Sequence, residues 1–195
     1  AVEGQMASGR LAFRAPETLF LTSGDYHLDG MRAEGDPISQ VVDAEYGKVL
    51  EIDLATGEVG ILSMGHRNMQ GIAIGADGEL YVSELGPRGG DERIRIKRGL
   101  NYGWPSVSLG TAYSGTPLPT AESVGAHDGF EAPVMSWVPS IAPAGMARLD
   151  GFHPNWDGDL LVGSLLDRAL HRVRLEAGRV LYSERIPVGT RIRVV

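Results

Sequence analysis

An all-β chain built of propeller-type blades is predicted by three observations. A hairpin pattern repeats three times, glycine-bearing turns separate short alternating apolar runs, and no segment carries a helical apolar period of useful length. Equivalent glycines stand at 9, 71 and 145. Gly9-Arg-Leu-Ala-Phe13 leads into Thr18-Leu-Phe-Leu-Thr-Ser23, Gly71-Ile-Ala-Ile74 into Glu79-Leu-Tyr-Val-Ser83, and Gly145-Met-Ala-Arg148 into Asp159-Leu-Leu-Val-Gly163.

After each hairpin comes a second alternating pair or its remnant. These are 48–54 with 58–62, 92–97, and 169–175 with 179–186. Turns at Ala55-Thr-Gly57 and Glu176-Ala-Gly178 put glycine where a tight hairpin needs a positive φ. Four short antiparallel strands per repeat describe one blade, so the chain reads as part of a single domain over 1–195, with blades at about 9–62, 71–98 and 145–186. Propellers need about four to eight blades to close. Three leave an open arc, to be completed by further chain, a second chain or a homodimer.

The length, 195 residues with 43% apolar, suffices for one sizeable core. A formal charge of −7 argues against a nucleic-acid partner, which wants a basic face. The absence of cysteine excludes disulfides, zinc-thiolate sites and a thiol nucleophile. No apolar run approaches the roughly 18 residues of a membrane span, and the first residues show no signal-peptide pattern.

Long loops at 24–46, 99–133 and 150–155 are rich in Gly, Pro, Ser and Asp, and loops on a rigid scaffold are where sites are built. In Gly65-His-Arg-Asn-Met-Gln-Gly71, Arg67 can clamp an anionic oxygen by forked bonds while Asn68 and Gln70 supply amides. The plain reading is a strand-capping turn. The loop from Glu84 to Glu92 offers carboxylates and, at Gly86 and Pro87, carbonyls that can turn outward, of the kind a hard cation takes; the spacing is not that of the usual Asp-x-Asp calcium loop, and by spacing alone the plain reading is a solvated acidic turn.

Arg191 and Arg193, if on a strand, share one face and suit a polyanion or simply water. Asp25 stands two residues from His27, as an acid/base partner or a turn former. Trp104, Trp137 and Trp156 can stack on a planar ligand or pack between blades. His127, His153 and His171 show no metal-ligand spacing, and no Ser-His-Asp set stands out.

Taken together, Ser8-Gly-Arg-Leu11, Ser23-Gly-Asp25, the 65–71 segment, Gly86-Pro-Arg-Gly-Gly-Asp-Glu92, Asn101-Tyr-Gly-Trp-Pro105, Trp137-Val-Pro-Ser-Ile-Ala-Pro143, residues 158–165 and Arg191-Ile-Arg193 resemble the soluble quinoprotein sugar dehydrogenases. The resemblance is to the glucose/sorbosone dehydrogenase family, aldose sugar dehydrogenase branch, and the chain corresponds to about the middle half of a member. It implies a six-bladed propeller, pyrroloquinoline quinone (PQQ) and Ca²⁺ as cofactors, an aldose as substrate, and a periplasmic or secreted location.

By motif, Arg67 would polarise the quinone, with Asn68 and Gln70 beside it. Gly86 and Pro87 would offer carbonyls to the catalytic calcium, Glu92 and Tyr102 would serve a structural calcium, Arg191 and Arg193 would hold cofactor carboxylates, and Asp25 would orient the base. The base position itself is Met6, and a thioether accepts no proton at neutral pH. Leu166 stands where the family has a cofactor-pairing lysine, Leu85 where the branch has a histidine, and Val194 where an aspartate is expected. The resemblance therefore implies a PQQ-dependent sugar dehydrogenase with an impaired site. A non-catalytic binding or assembly propeller, or a carbohydrate-binding module resting on the tryptophans, are the competing readings.

Overall fold

The computed structural model describes residues 5–32, 34–121 and 123–195; positions 1–4, 33 and 122, which the 1–195 domain and two of the long loops include, lie outside the described residues. Fourteen strands follow in order: β1 (Ser8–Arg14), β2 (Thr18–Ser23), β3 (Lys48–Asp53), β4 (Val59–Met64), β5 (Met69–Ile74), β6 (Leu80–Glu84), β7 (Asp91–Ile96), β8 (Val107–Ser108), β9 (Ser123–Val124), β10 (Met135–Trp137), β11 (Pro143–Arg148), β12 (Leu160–Ser164), β13 (Ala169–Glu176) and β14 (Arg179–Pro187). The single helical element among the described residues is a 3₁₀ turn, Ile38–Gln40.

Three four-stranded antiparallel sheets result: β1-β2-β3-β4, β5-β6-β7-β10 and β11-β12-β13-β14. These are propeller blades. Each blade's first strand lies innermost, and β5 packs between β1 and β11. The second blade is completed by β10, which pairs Met135 with Arg93 and Trp137 with Asp91 only after the long 99–133 loop has returned. A three-residue strand is too short to show alternation.

Alternation decides which face goes where. In β6 every residue is buried, because the middle blade is covered on both sides. Leu80 and Val82 join Phe20, Val49, Leu62, Met69, Ile72 and Ile94 between the first two blades. Tyr81 packs on the other face with Met146, Leu160 and Val162 of the third. Each such side chain contributes on the order of 1.5–3 kcal/mol on full burial.

The outer face of the first blade has no neighbour among the described residues. Leu11 and Phe13, 58% and 55% exposed, point the same way as their register partners Leu21 and Leu19. This apolar sheet face is the edge of the open arc.

Two loops are locked above the blades. Lys48, wholly buried at the start of β3, donates from Nζ to the carbonyls of Ile38 (3.1 Å), Ser39 (2.9 Å) and Tyr46 (2.9 Å), pinning the β2–β3 loop. Ser39 Oγ and Gln40 Nε2 in turn donate to the Trp104 carbonyl at 2.6 and 2.7 Å. The loop after β2 and the loop after β7 thus form one wall.

Candidate active site at the β4–β5 and β6–β7 loops

Arg67 lies on the loop between β4 and β5, whose entry requires Gly65: φ is +78°, and a Cβ there would meet the Asn101 side chain and the backbone of Tyr102 and Gly103. The Arg67 amide donates to Glu84 Oε1, and its guanidinium, through Nη1, to the carbonyls of Leu85 (3.0 Å) and Gly86 (3.2 Å). Its Cζ sits 5.3 Å from the Trp104 ring centroid. The cation is 4% exposed and has carbonyls rather than a carboxylate against its side chain, so its charge is left to act on whatever enters beside it.

Asp25 is the nearby buried acid. Trp104 Nε1 donates to its Oδ2 at 2.7 Å, the His27 amide donates to its Oδ1 at 3.0 Å, and its own amide donates to the Arg67 carbonyl at 2.8 Å. Burial pushes the carboxyl from 3.8 up to about 6; the two hydrogen bonds and the Arg67 charge hold it from rising further. Asn68 Oδ1 accepts from Gln70 Nε2 at 2.7 Å and from Ser8 Oγ at 3.4 Å, so the two amides are oriented by each other and by β1.

The β6–β7 loop supplies carbonyls. Asp91 accepts from the Gly86 amide (2.9 Å) through Oδ1, and through Oδ2 from Ser140 Oγ (2.6 Å) and the amides of Ile141 and Ala142 (2.8 and 2.9 Å), which ties the second blade to the chain entering the third. Gly86 and Pro87 then border an open cleft of about 680 Å³, whose lining includes Arg88, Arg168 and Arg191 and no acidic residue. Arg67 borders an adjoining pocket of about 290 Å³ that shares Pro87 and Tyr113 with the cleft.

Glu92 and Tyr102, with Glu84 and Arg67, wall an internal cavity of about 20 Å³ beneath this cleft, room for one water-sized occupant. Burial pushes the Glu92 carboxyl up, and the Glu84 charge adds to the rise, while His127, 3.4 Å away, opposes it. Glu84 is further held by His66 Nδ1 at 3.1 Å. The Tyr102 phenol, pushed by burial to about 12, donates to the Arg95 carbonyl (2.6 Å) and accepts from the Lys97 amide (3.0 Å). No group of three or more His, Cys, Asp or Glu side chains with metal-binding spacing occurs among the described residues. Glu84, which the sequence offers only as one carboxylate of the 84–92 loop, is a wall residue of this cavity at the end of β6.

Other expected positions separate. Residues 188–195 form no strand, so the shared-face argument for Arg191 and Arg193 does not apply: Arg191 lines the cleft, whereas Arg193 is exposed outside that lining and contributes its carbonyl to the Gly145 amide at 3.0 Å. Met6 is half-buried beside the Asp25 loop, its carbonyl 3.4 Å from the Tyr26 amide and so close to Gly24 that a Cβ there would strike it. His27 is engaged at its ring by Arg32 and Gln5. Leu85 and Leu166 both border the cleft, Leu166 at 65% exposure. Trp137 and Trp156 lie away from it, Trp137 edge-on to His171 and Trp156 beneath Arg172, so Trp104 is the tryptophan of the site.

Comparison with known proteins gives the family and the fold. The family model described as Glucose / Sorbosone dehydrogenase matches residues 1–195. The aldose sugar dehydrogenase YliI of Escherichia coli (strain K12) is 34% identical over 211 residues, covering 98% of this chain and 54% of that protein. The crystal structure of the soluble aldose sugar dehydrogenase from Escherichia coli in its apo-form superposes with a TM-score of 0.85 at 31% identity, over 96% of this chain and 56% of that one. The PQQ-bound aldose sugar dehydrogenase from Streptomyces coelicolor does so with a TM-score of 0.72 at 26% identity, over 96% and 51%. The chain therefore spans about half the length of these relatives. With the motifs, the blades and the matched family model in agreement, the chain belongs to the glucose/sorbosone dehydrogenase family.

Proposed function

We propose that this chain carries the cofactor-facing part of a quinoprotein-type oxidoreductase that oxidises an aldose at its anomeric hydroxyl, with PQQ as the hydride acceptor and Ca²⁺ beside it. The observation that carries the reading is the buried Arg67 guanidinium, held by the Leu85 and Gly86 carbonyls over Trp104 in a pocket that adjoins the arginine-lined cleft and shares Pro87 and Tyr113 with it. A tricarboxylate quinone needs cations and no competing acids, and the cleft lining meets both conditions. Gly86 and Pro87 offer neutral carbonyls, which hold Ca²⁺ well only when an anionic ligand completes the shell. In the same reading Glu84 and Glu92, which border the small cavity with Tyr102 and Arg67, would supply the carboxylates for a second, structural calcium.

When bound, the quinone supplies the hydride acceptor. The chain's own residues do the rest: Arg67 stabilises negative charge developing beside it, Asn68 and Gln70 orient ligand oxygens, Arg191 holds a carboxylate from the cleft wall, and Asp25 sets the local proton balance. Export to the periplasm or the outside belongs to the same reading. No helix among the described residues is long and apolar enough to cross a membrane.

One observation favours a second reading, a catalytically inactive propeller that binds or assembles. Met6 occupies the base position, and loss of a general base removes about two to four orders of magnitude in rate. The test is Met6→His in the full-length protein supplied with PQQ, Ca²⁺, glucose and a dye as electron acceptor. Sugar-dependent dye reduction that appears or rises at least a hundredfold supports the enzyme reading. An inert Met6→His protein that has bound the quinone supports the binding role.

A further inference from the structure

The cleft has more cation than its motif accounts for. Arg168, on the turn between β12 and β13, lines it together with Arg191. The turn is fixed on both sides: the amides of Leu165 and Leu166 donate to the carbonyls of Ala142 (2.9 Å) and Ile141 (3.1 Å), and Ser164 Oγ brackets Ala169, donating to its carbonyl at 3.1 Å and accepting from its amide at 3.2 Å. Arg168 itself stands at φ +52°, a conformation that costs a non-glycine residue on the order of 1 kcal/mol or more. Its carbonyl accepts from the amides of Val188 (3.2 Å) and Gly189 (2.9 Å), tying it to the segment that carries Arg191.

The one acid in this turn is already used. Asp167 Oδ2 accepts from Arg185 Nε at 2.7 Å and His171 Nε2 at 2.8 Å. Among the described residues Arg168 forms no ion pair, and no acid lines the cleft to neutralise it. A solvated surface arginine needs no second guanidinium on the same wall. Leu166, two residues earlier, faces the same space as an apolar lip.

We infer that Arg168, with Arg191, forms the carboxylate-binding pair of this cleft and supplies the positive charge that Leu166 does not. The inference rests on the quinone-site reading for the identity of the ligand, but not for the class, a planar polycarboxylate that two guanidinium forks can grip.

The test is titration of PQQ with Ca²⁺ into the full-length protein and its Arg168→Leu, Arg168→Lys and Arg168→Leu/Leu166→Lys variants, read by the quinone's absorbance, with thermal melts run in parallel. Loss of one charge-assisted pair predicts binding weakened about 10- to 100-fold in Arg168→Leu, partial loss in Arg168→Lys, and recovery in the double variant. Melts should be unchanged, because the side chain is exposed and unpaired; should Arg168→Leu not fold, Arg168→Gln carries the same comparison. Equal affinity in the wild type and the Arg168 variant overturns the inference while leaving the quinone reading intact. Should the wild type bind no PQQ, that reading fails, and Arg168 is judged by titration with benzene-1,2,4-tricarboxylate. Arg168-dependent binding then upholds the carboxylate pair, and absent or Arg168-independent binding overturns it.

Discussion

Replacing Asp25 by Asn should flatten the pH dependence of stability in one defined window. Burial raises the folded-state carboxyl from 3.8 to about 6, so the fold binds a proton more tightly than the unfolded chain does. The stabilisation from that proton is complete below about pH 4 and is lost as pH rises through about 6. The difference corresponds to about 3 kcal/mol. Asn keeps the size and one acceptor but turns an amide N–H toward one of the two present donors, Trp104 Nε1 or the His27 amide. That mismatch costs a roughly constant 1–3 kcal/mol. The assay is denaturant unfolding of both proteins at intervals from pH 4 to 8. The wild type should be the more stable by about 1–3 kcal/mol at pH 4, and the difference should shift by about 3 kcal/mol in favour of Asn toward pH 7.5, so that the curves meet or cross. Glu92 and Asp91, also pushed up by burial, contribute a slope of the same sign to both proteins and cancel in the difference. Parallel curves would refute the account of Asp25 as a carboxyl held up by burial.

Arg67→Met removes a cation that lowers the Asp25 carboxyl, so the Asp25 transition should move to higher pH in the same measurement, and PQQ affinity should fall at least tenfold; an unmoved transition would separate the two residues. Lys48→Met removes the ammonium donor from the carbonyls of Ile38, Ser39 and Tyr46, the first two of which keep the Val41 and Gly65 amides, and should cost about 1–3 kcal/mol by chemical denaturation, with faster hydrogen exchange confined to residues 38–47. Arg93 is wholly buried over Tyr81, with none of its three guanidinium nitrogens hydrogen-bonded among the described residues, and burial lowers it to about 10. Arg93→Met should therefore be neutral or stabilising by about 1–4 kcal/mol, and a loss beyond 1 kcal/mol would show an acceptor that the geometry does not.

Sheet residues were the legible part of the sequence, because alternation and turn glycines are local properties. The Ala177-Gly178 turn has φ of +49° and +73°, as the hairpin reading of 176–178 requires. β10 was not legible: its three residues join β7 across a long loop, and pairing of that kind leaves no periodic trace. At the site, Arg67 and the Gly86-Pro87 loop stand out by motif. The contacts that give them meaning do not, since Trp104 reaches Asp25 across 79 positions. Arg168 was hidden for a related reason. The motif directs attention to position 166, whereas a left-handed residue within the turn brings position 168 to the same wall.

The most direct test of the quinone-site account is a PQQ titration of the longest form of the protein, with and without Ca²⁺, followed by absorbance. The account predicts saturable binding that tightens at least tenfold with calcium, since the Gly86 and Pro87 carbonyls hold the ion well only with an anionic ligand present. Absence of binding by a folded protein in both conditions would contradict it.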